Sequence, residues 1–145
     1  MQATEKNYHH FIDGSQVAGT SGRTQPIYNP SHGSISGAVT LATATEVDAA
    51  VASAANALSE WSTMNPQRRA RVLFNFKTLV EAHADELALL IAEEHGKVVA
   101  DAHGDIQRGL DVIEFACGVP HLSKGEYTHG AGPGIDVFSM RQPIG

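Results

Sequence analysis

Apolar residues recur along this chain with two different periods, and the change of period divides it. Near the N-terminus they come in short runs. Phe11-Ile12 and Val17 flank Asp13-Gly14, a dipeptide that tolerates positive φ and favours a tight hairpin turn. Ile27-Tyr28 runs into Asn29-Pro30, where proline forces a turn. Ile35 to Leu41 (ISGAVTL) predicts a further strand. From Thr43 the period becomes helical. Thr43 and Glu46 have the spacing of a capping box, in which the hydroxyl takes a backbone N–H and the carboxylate reaches back to the cap. Val47, Val51, Ala54, Ala55, Leu58 and Trp61 then fall on one face. Asn65-Pro66 opens a second helix, with asparagine as cap and proline at the first position, and Val72, Leu73, Phe76, Leu79 and Val80 form its expected buried stripe. Asp85 is the expected cap of a third helix carrying Leu87, Leu90 and Ile91, closed by Gly96 in the left-handed role. A fourth runs from about Val98 to His121, with Ile106, Leu110, Ile113 and Cys117 on one face, ended by Pro120 and Gly125. Gly104 and Gly109 inside it cost about 1 kcal/mol each relative to alanine, which suggests close packing or a ligand nearby.

The two ends read differently. Residues 1–7 are polar and predict a frayed, disordered tail. Residues 128–134 (THGAGPG) predict a flexible connector. Beyond it Ile135, Val137 and Ser139 alternate with Asp136, Phe138 and Met140, which is strand periodicity. A lone strand needs sheet partners, and its surroundings supply few. The expectation is therefore the front part of a larger protein, with most of the chemistry in the part that is absent.

Composition narrows the class. The 145 residues are 42% hydrophobic and 18% charged, as in a soluble globular domain and unlike a disordered chain. The net charge of −6 argues against nucleic acid as a partner. The densest basic run, Arg68, Arg69 and Arg71, reads as a solvated or salt-bridged helix face. The single cysteine, Cys117, excludes an intrachain disulfide. The N-terminus has no apolar signal-like stretch, and no apolar run approaches the roughly 18 residues of a membrane helix. A cytoplasmic location is the default. No internal repeat is visible.

Four features invite a chemical reading. Eight histidines (His9, His10, His32, His83, His95, His103, His121 and His129) show no metal-site spacing, and scattered surface positions are favoured over a metal centre. Gly130, Gly132 and Gly134 follow a helix and precede a strand, the reverse of a nucleotide-binding turn, so a hinge is favoured over a phosphate cradle. Cys117 lies on an apolar helical face and reads as a buried structural thiol. Arg108 differs, because it projects off the Ile106–Leu110 stripe with Gly104 and Gly109 leaving room around it. A guanidinium so placed can bind a carboxylate through two N–H groups. On spacing alone the favoured reading is an ion pair, with Asp111, Asp105 or a more distant acid.

Taken in order, Asn29-Pro30, Asp48-Ala49-Ala50-Val51, Trp61, Arg71 and Glu93-Glu94-His95-Gly96-Lys97 resemble the N-terminal region of the aldehyde dehydrogenase superfamily, from about Phe11 to Gly145. Gly104-Asp105-Ile106-Gln107-Arg108-Gly109, followed by Val112 to Cys117, looks like the CoA-acylating methylmalonate-semialdehyde dehydrogenase branch. The resemblance implies an α/β fold in which helices pack on short strands, cut before most of the Rossmann-like sheet. Residues 8–126 would form the N-terminal part of the cofactor-binding domain, and 127–145 the start of an oligomerisation arm through which the family forms dimers or tetramers. It implies a parent enzyme that uses NAD and coenzyme A to convert malonate or methylmalonate semialdehyde to acetyl-CoA or propanoyl-CoA with loss of carbon dioxide. There a cysteine thiolate attacks the aldehyde, hydride leaves to the nicotinamide, and CoA releases the thioester. Cys117 does not match that nucleophile, so this stretch alone is expected to be inactive and to bind neither cofactor. Arg108 matches the family arginine that holds the substrate carboxylate, and with the resemblance that role is favoured over a plain ion pair. The alternatives are a hydrolytic dehydrogenase of the same superfamily and a non-catalytic helical interaction module.

Overall fold

The computed structural model describes residues 6–144. Most of the expected tail, Met1 to Glu5, lies outside them, as does Gly145. Lys6 and Asn7, assigned to that tail from their polarity, instead open a strand, β1 (Lys6–Tyr8). Further strands are β2 (His10–Ile12), β3 (Ser15–Val17), β4 (Thr24–Tyr28) and β5 (Ile35–Thr40). β2 and β3 form the expected hairpin, pairing His10 with Val17 and Ile12 with Ser15. Asp13 at φ 53° and Gly14 at φ 70° occupy its two-residue turn, the positive-φ geometry that matches strand twist. β1, β5 and β4 make a three-stranded sheet with β5 in the centre, parallel to β1 and antiparallel to β4. Pro26 sits in β4, at a sheet edge, where its missing N–H costs no ladder bond.

Among the described residues five helices follow β5: α1 (Ala44–Thr63), α2 (Pro66–Ala82), α3 (Ala84–His95), α4 (Val99–Cys117) and α5 (Val119–Leu122). The capping box of α1 is complete, with Thr43 Oγ1 accepting from Glu46 N at 3.2 Å and Glu46 Oε2 accepting from Thr43 N at 2.7 Å. Asn65 caps α2 by accepting from Gln67 N at 2.9 Å. Gly96 ends α3 at φ 71°, ψ 22°. Two boundaries differ from expectation. The cap residue of α3 is His83, with Asp85 inside the first turn, where its charge favours the helix N-terminus without capping it. The fourth helix stops at Cys117, and Gly118 separates it from the single turn of α5, which carries Pro120 where proline fits a helix start.

The core is helical and small. α2 and α3 both pack against α4. Ala88, Ala102, Ile106 and Leu110 are buried there, with Val80, Ala84, Leu87 and Ile91 half-buried against them. Burying Ile106 and Leu110 is worth about 1.5–3 kcal/mol each, which outweighs the roughly 1 kcal/mol that each of Gly104 and Gly109 costs the same helix. The expected α2 stripe is only partly covered: Val72, Phe76 and Leu79 stay exposed. α1 buries no residue at all. The sheet meets the helices at the end of α3, where Gly96 lies under the Pro30 ring and Leu90, Glu93 and Glu94 share a cavity with Lys6, Tyr8 and Tyr28.

Residues 128–134 are not a connector. They form most of β6 (Tyr127–Gly132), which pairs antiparallel with β7 (Ile135–Phe138), so the last strand has a partner. Gly130 and Gly134 take positive φ here, the one conformation in which this glycine-rich run both bulges and turns. Among the described residues no helix is long and apolar enough to cross a membrane.

Candidate functional site

Lys97 lies just before α4, and Asp101, Asp105 and Arg108 follow at spacings of four, four and three. That spacing brings all four side chains to one line along the helix. Lys97 Nζ reaches Asp101 Oδ2 at 2.7 Å and also donates to Asp105 Oδ2. The other oxygen of Asp105, Oδ1, accepts from Arg108 Nη2 at 2.7 Å. Along the line Lys97 is the most covered side chain and Arg108 the most open one, at 24% and 70% exposed, with Asp105 at 38% and Asp101 at 59% between them. Arg108 thus projects off the buried stripe as its position predicts, and Asp105, one of its three expected partners, is the one it meets. Asp111 instead accepts from Gln107.

The charges are mutually stabilised. The hydrogen bond to Asp101, then that to Asp105, raises the Lys97 pKa. The hydrogen bond from Lys97, then that from Arg108, lowers the Asp105 pKa. Both oxygens of Asp105 are committed, and it holds the guanidinium by a single nitrogen. A Cβ on Gly104 would lie 3.8 Å from Arg108 Nη1, so the guanidinium rests beside a bare stretch of helix. Such an arrangement presents a fixed cation with unused N–H donors at the molecular surface, which is what a carboxylate ligand needs. Lys97 and Asp101 did not stand out from the sequence as partners of Arg108. Their i, i+4 spacing carried the signal, but Lys97 precedes the helix and its side chain had to bridge two turns.

The other candidates separate. Cys117 is buried, as its apolar surroundings predict. Three of the histidines pair singly with acids, His83 with Glu86 at 3.0 Å, His103 with Asp85 at 3.5 Å and His129 with Asp136 at 3.0 Å, while His10 Nε2 is buried without a hydrogen-bond partner among the described residues. Among the described residues no group of three or more metal-ligating side chains comes together. Arg69 departs from the solvated face expected of the basic run. It is half-buried beside Trp61, Val72 and Leu73, with its Nε buried and unpaired.

The glycine run does not fit a dinucleotide phosphate. Gly130 N already gives its hydrogen to Asp136 Oδ1 at 2.8 Å, and the phenol of Tyr127 donates to the same carboxylate. These bonds, Tyr127 first, hold the Asp136 pKa low. A fixed negative charge at that loop repels phosphate.

Comparison with known proteins bears on the whole chain. A family model described as the aldehyde dehydrogenase family matches residues 17–145. Over 137 residues the chain is 42% identical to malonate-semialdehyde dehydrogenase of Pseudomonas aeruginosa, a match spanning 94% of this chain and 27% of that one. Malonate-semialdehyde dehydrogenase 2 of Geobacillus thermodenitrificans is 41% identical over 140 residues, 97% of this chain and 29% of its own. Among solved structures, a Sinorhizobium meliloti protein provisionally named methylmalonate-semialdehyde dehydrogenase, in complex with NAD, superposes with a TM-score of 0.94 at 52% identity, covering 99% of this chain and 29% of that one. The methylmalonate-semialdehyde dehydrogenase of Oceanimonas doudoroffii gives 0.90 at 44% identity, covering 95% and 28%. The chain spans under a third of the length of each of these relatives.

Proposed function

Since the chain belongs to the aldehyde dehydrogenase family, we propose that it is the N-terminal portion of an NAD-dependent, CoA-acylating malonate- or methylmalonate-semialdehyde dehydrogenase. The observation that carries this reading is the near-complete superposition, at 52% identity, on the Sinorhizobium meliloti protein bound to NAD. In this reading the nucleophile and both cofactor sites are supplied by other residues of the parent enzyme, and residues 1–145 by themselves turn over no substrate. Their contribution is recognition. Arg108 takes the carboxylate that distinguishes a semialdehyde acid from a simple aldehyde, and the reactive carbonyl is thereby placed at a set distance from the arginine. The β6–β7 hairpin belongs to the arm through which the parent forms a homo-oligomer, and the parent works in the cytoplasm, where a catalytic thiol stays reduced.

The test uses the longer protein that carries this chain. Arg108→Ala should raise KM for the semialdehyde acid about 10- to 100-fold, the worth of a charge-assisted hydrogen bond, and spare propanal. Equal kinetics on both aldehydes would remove Arg108 from substrate recognition. Turnover measured with and without CoA separates the acylating reaction from the hydrolytic alternative, which gives a free acid without it.

A further inference from the structure

We propose that Asp105, itself held by Lys97, is a positioning residue for Arg108. It fixes one edge of the guanidinium so that the other edge faces the substrate carboxylate. The inference rests on the reading of Arg108 given above and assigns the residues that make such a cation selective.

The geometry carries it. Arg108 is 70% exposed, and an exposed arginine is free to sample many rotamers, each of which would cost ordering entropy on binding. One contact, Nη2 to Asp105 Oδ1 at 2.7 Å, biases it in advance toward a single orientation. The contact is one-sided. Asp105 meets the guanidinium through Oδ1 alone, while its second oxygen, Oδ2, accepts from Lys97 on the other side. Lys97 is in turn anchored on Asp101 at 2.7 Å, so the restraint extends back to the first turn of α4. The bare helix at Gly104 keeps the adjacent face of the guanidinium uncrowded. Charge is balanced along the line, two acids against two bases, so Asp105 orients Arg108 without leaving an excess of negative charge to repel an incoming carboxylate.

A merely structural ion pair would change stability and affect every substrate alike. A positioning role splits the substrates. In the longer protein, Asp105→Asn should raise KM for the semialdehyde acid about tenfold while kcat and the kinetics of propanal stay within twofold. Combined with Arg108→Ala, it should add nothing further, since it acts through that residue. Lys97→Met, which leaves Asp105 charged but frees Oδ2, should also weaken the acid substrate selectively, and it serves if Asp105→Asn fails to fold. Equal effects on acid and aldehyde, additivity with Arg108→Ala, or a lower KM for the acid in Asp105→Asn would each overturn the proposal. If Arg108→Ala is selective and Asp105→Asn is not, only the positioning role falls. If Arg108→Ala is itself unselective, the reading of Arg108 falls with it.

Discussion

Glu46 ties two segments together with one carboxylate. Oε2 takes the backbone of Thr43, and Oε1 accepts from Thr20 N at 2.7 Å and from Thr20 Oγ1 at 3.0 Å. The backbone bonds from Thr43 and Thr20 lead a set that pulls its pKa from the ordinary 4.5 to about 2. The folded value is the lower one, so the stabilisation is fully present above pH 4.5 and is lost as pH falls toward 2. Helix content in urea should therefore separate wild type from Glu46→Gln above that range, and the two midpoints should converge as pH approaches 2. A constant gap across the range would rule the carboxylate out. The Thr43 half of this arrangement was legible, because a capping box is a local spacing. The Thr20 half was not, since the partner is distant in sequence and lies in an irregular loop. Arg108 shows the same division: its exposure followed from the helical period, and one of its possible partners from adjacency, but the bridge from Lys97 depended on how a side chain outside the helix folds back.

At the scale of elements, the helices α1, α2 and α3 and the β2–β3 hairpin were readable because each is specified by neighbours in sequence. β1 was not. Lys6, Asn7 and Tyr8 have no strand signature, and what makes them a strand is parallel pairing with Gly37, Ala38 and Val39. That pairing depends on Gly37, where a Cβ would stand 2.5 Å from the Lys6 carbonyl oxygen. Gly37→Ala should detach β1 and cost about 1–3 kcal/mol, as overpacking does, while leaving β4–β5 paired. Hydrogen exchange at the β1 amides would report it; unchanged protection there would show that the strands can separate enough to admit a methyl group. β6 was misread for the opposite reason. Its glycines and proline looked like a linker, and the strand exists because Asp136 gathers Tyr127, Gly130 and His129 across the hairpin.

Across the whole molecule, the periodicity that identified the apolar faces could not say what covers them. Phe115 is 70% exposed, Phe138 67% and Val51 63%, and the α1 face forms an open groove with Trp61 at one end. Large apolar surface of this extent marks contact surfaces rather than a finished exterior. The chain by itself should bind a hydrophobic dye strongly and grow in mass with concentration; a dye-silent monomer would contradict this. The placement of the core has a kinetic side as well. Ala88, Ala102, Ile106 and Leu110 come from helices adjacent in sequence, so their contacts close short loops, the topology that folds fastest. A growing polypeptide can assemble this nucleus once α4 has left the ribosome. α1, synthesised earlier, buries no residue against this nucleus, so its apolar face stays open to wrong partners while the chain grows.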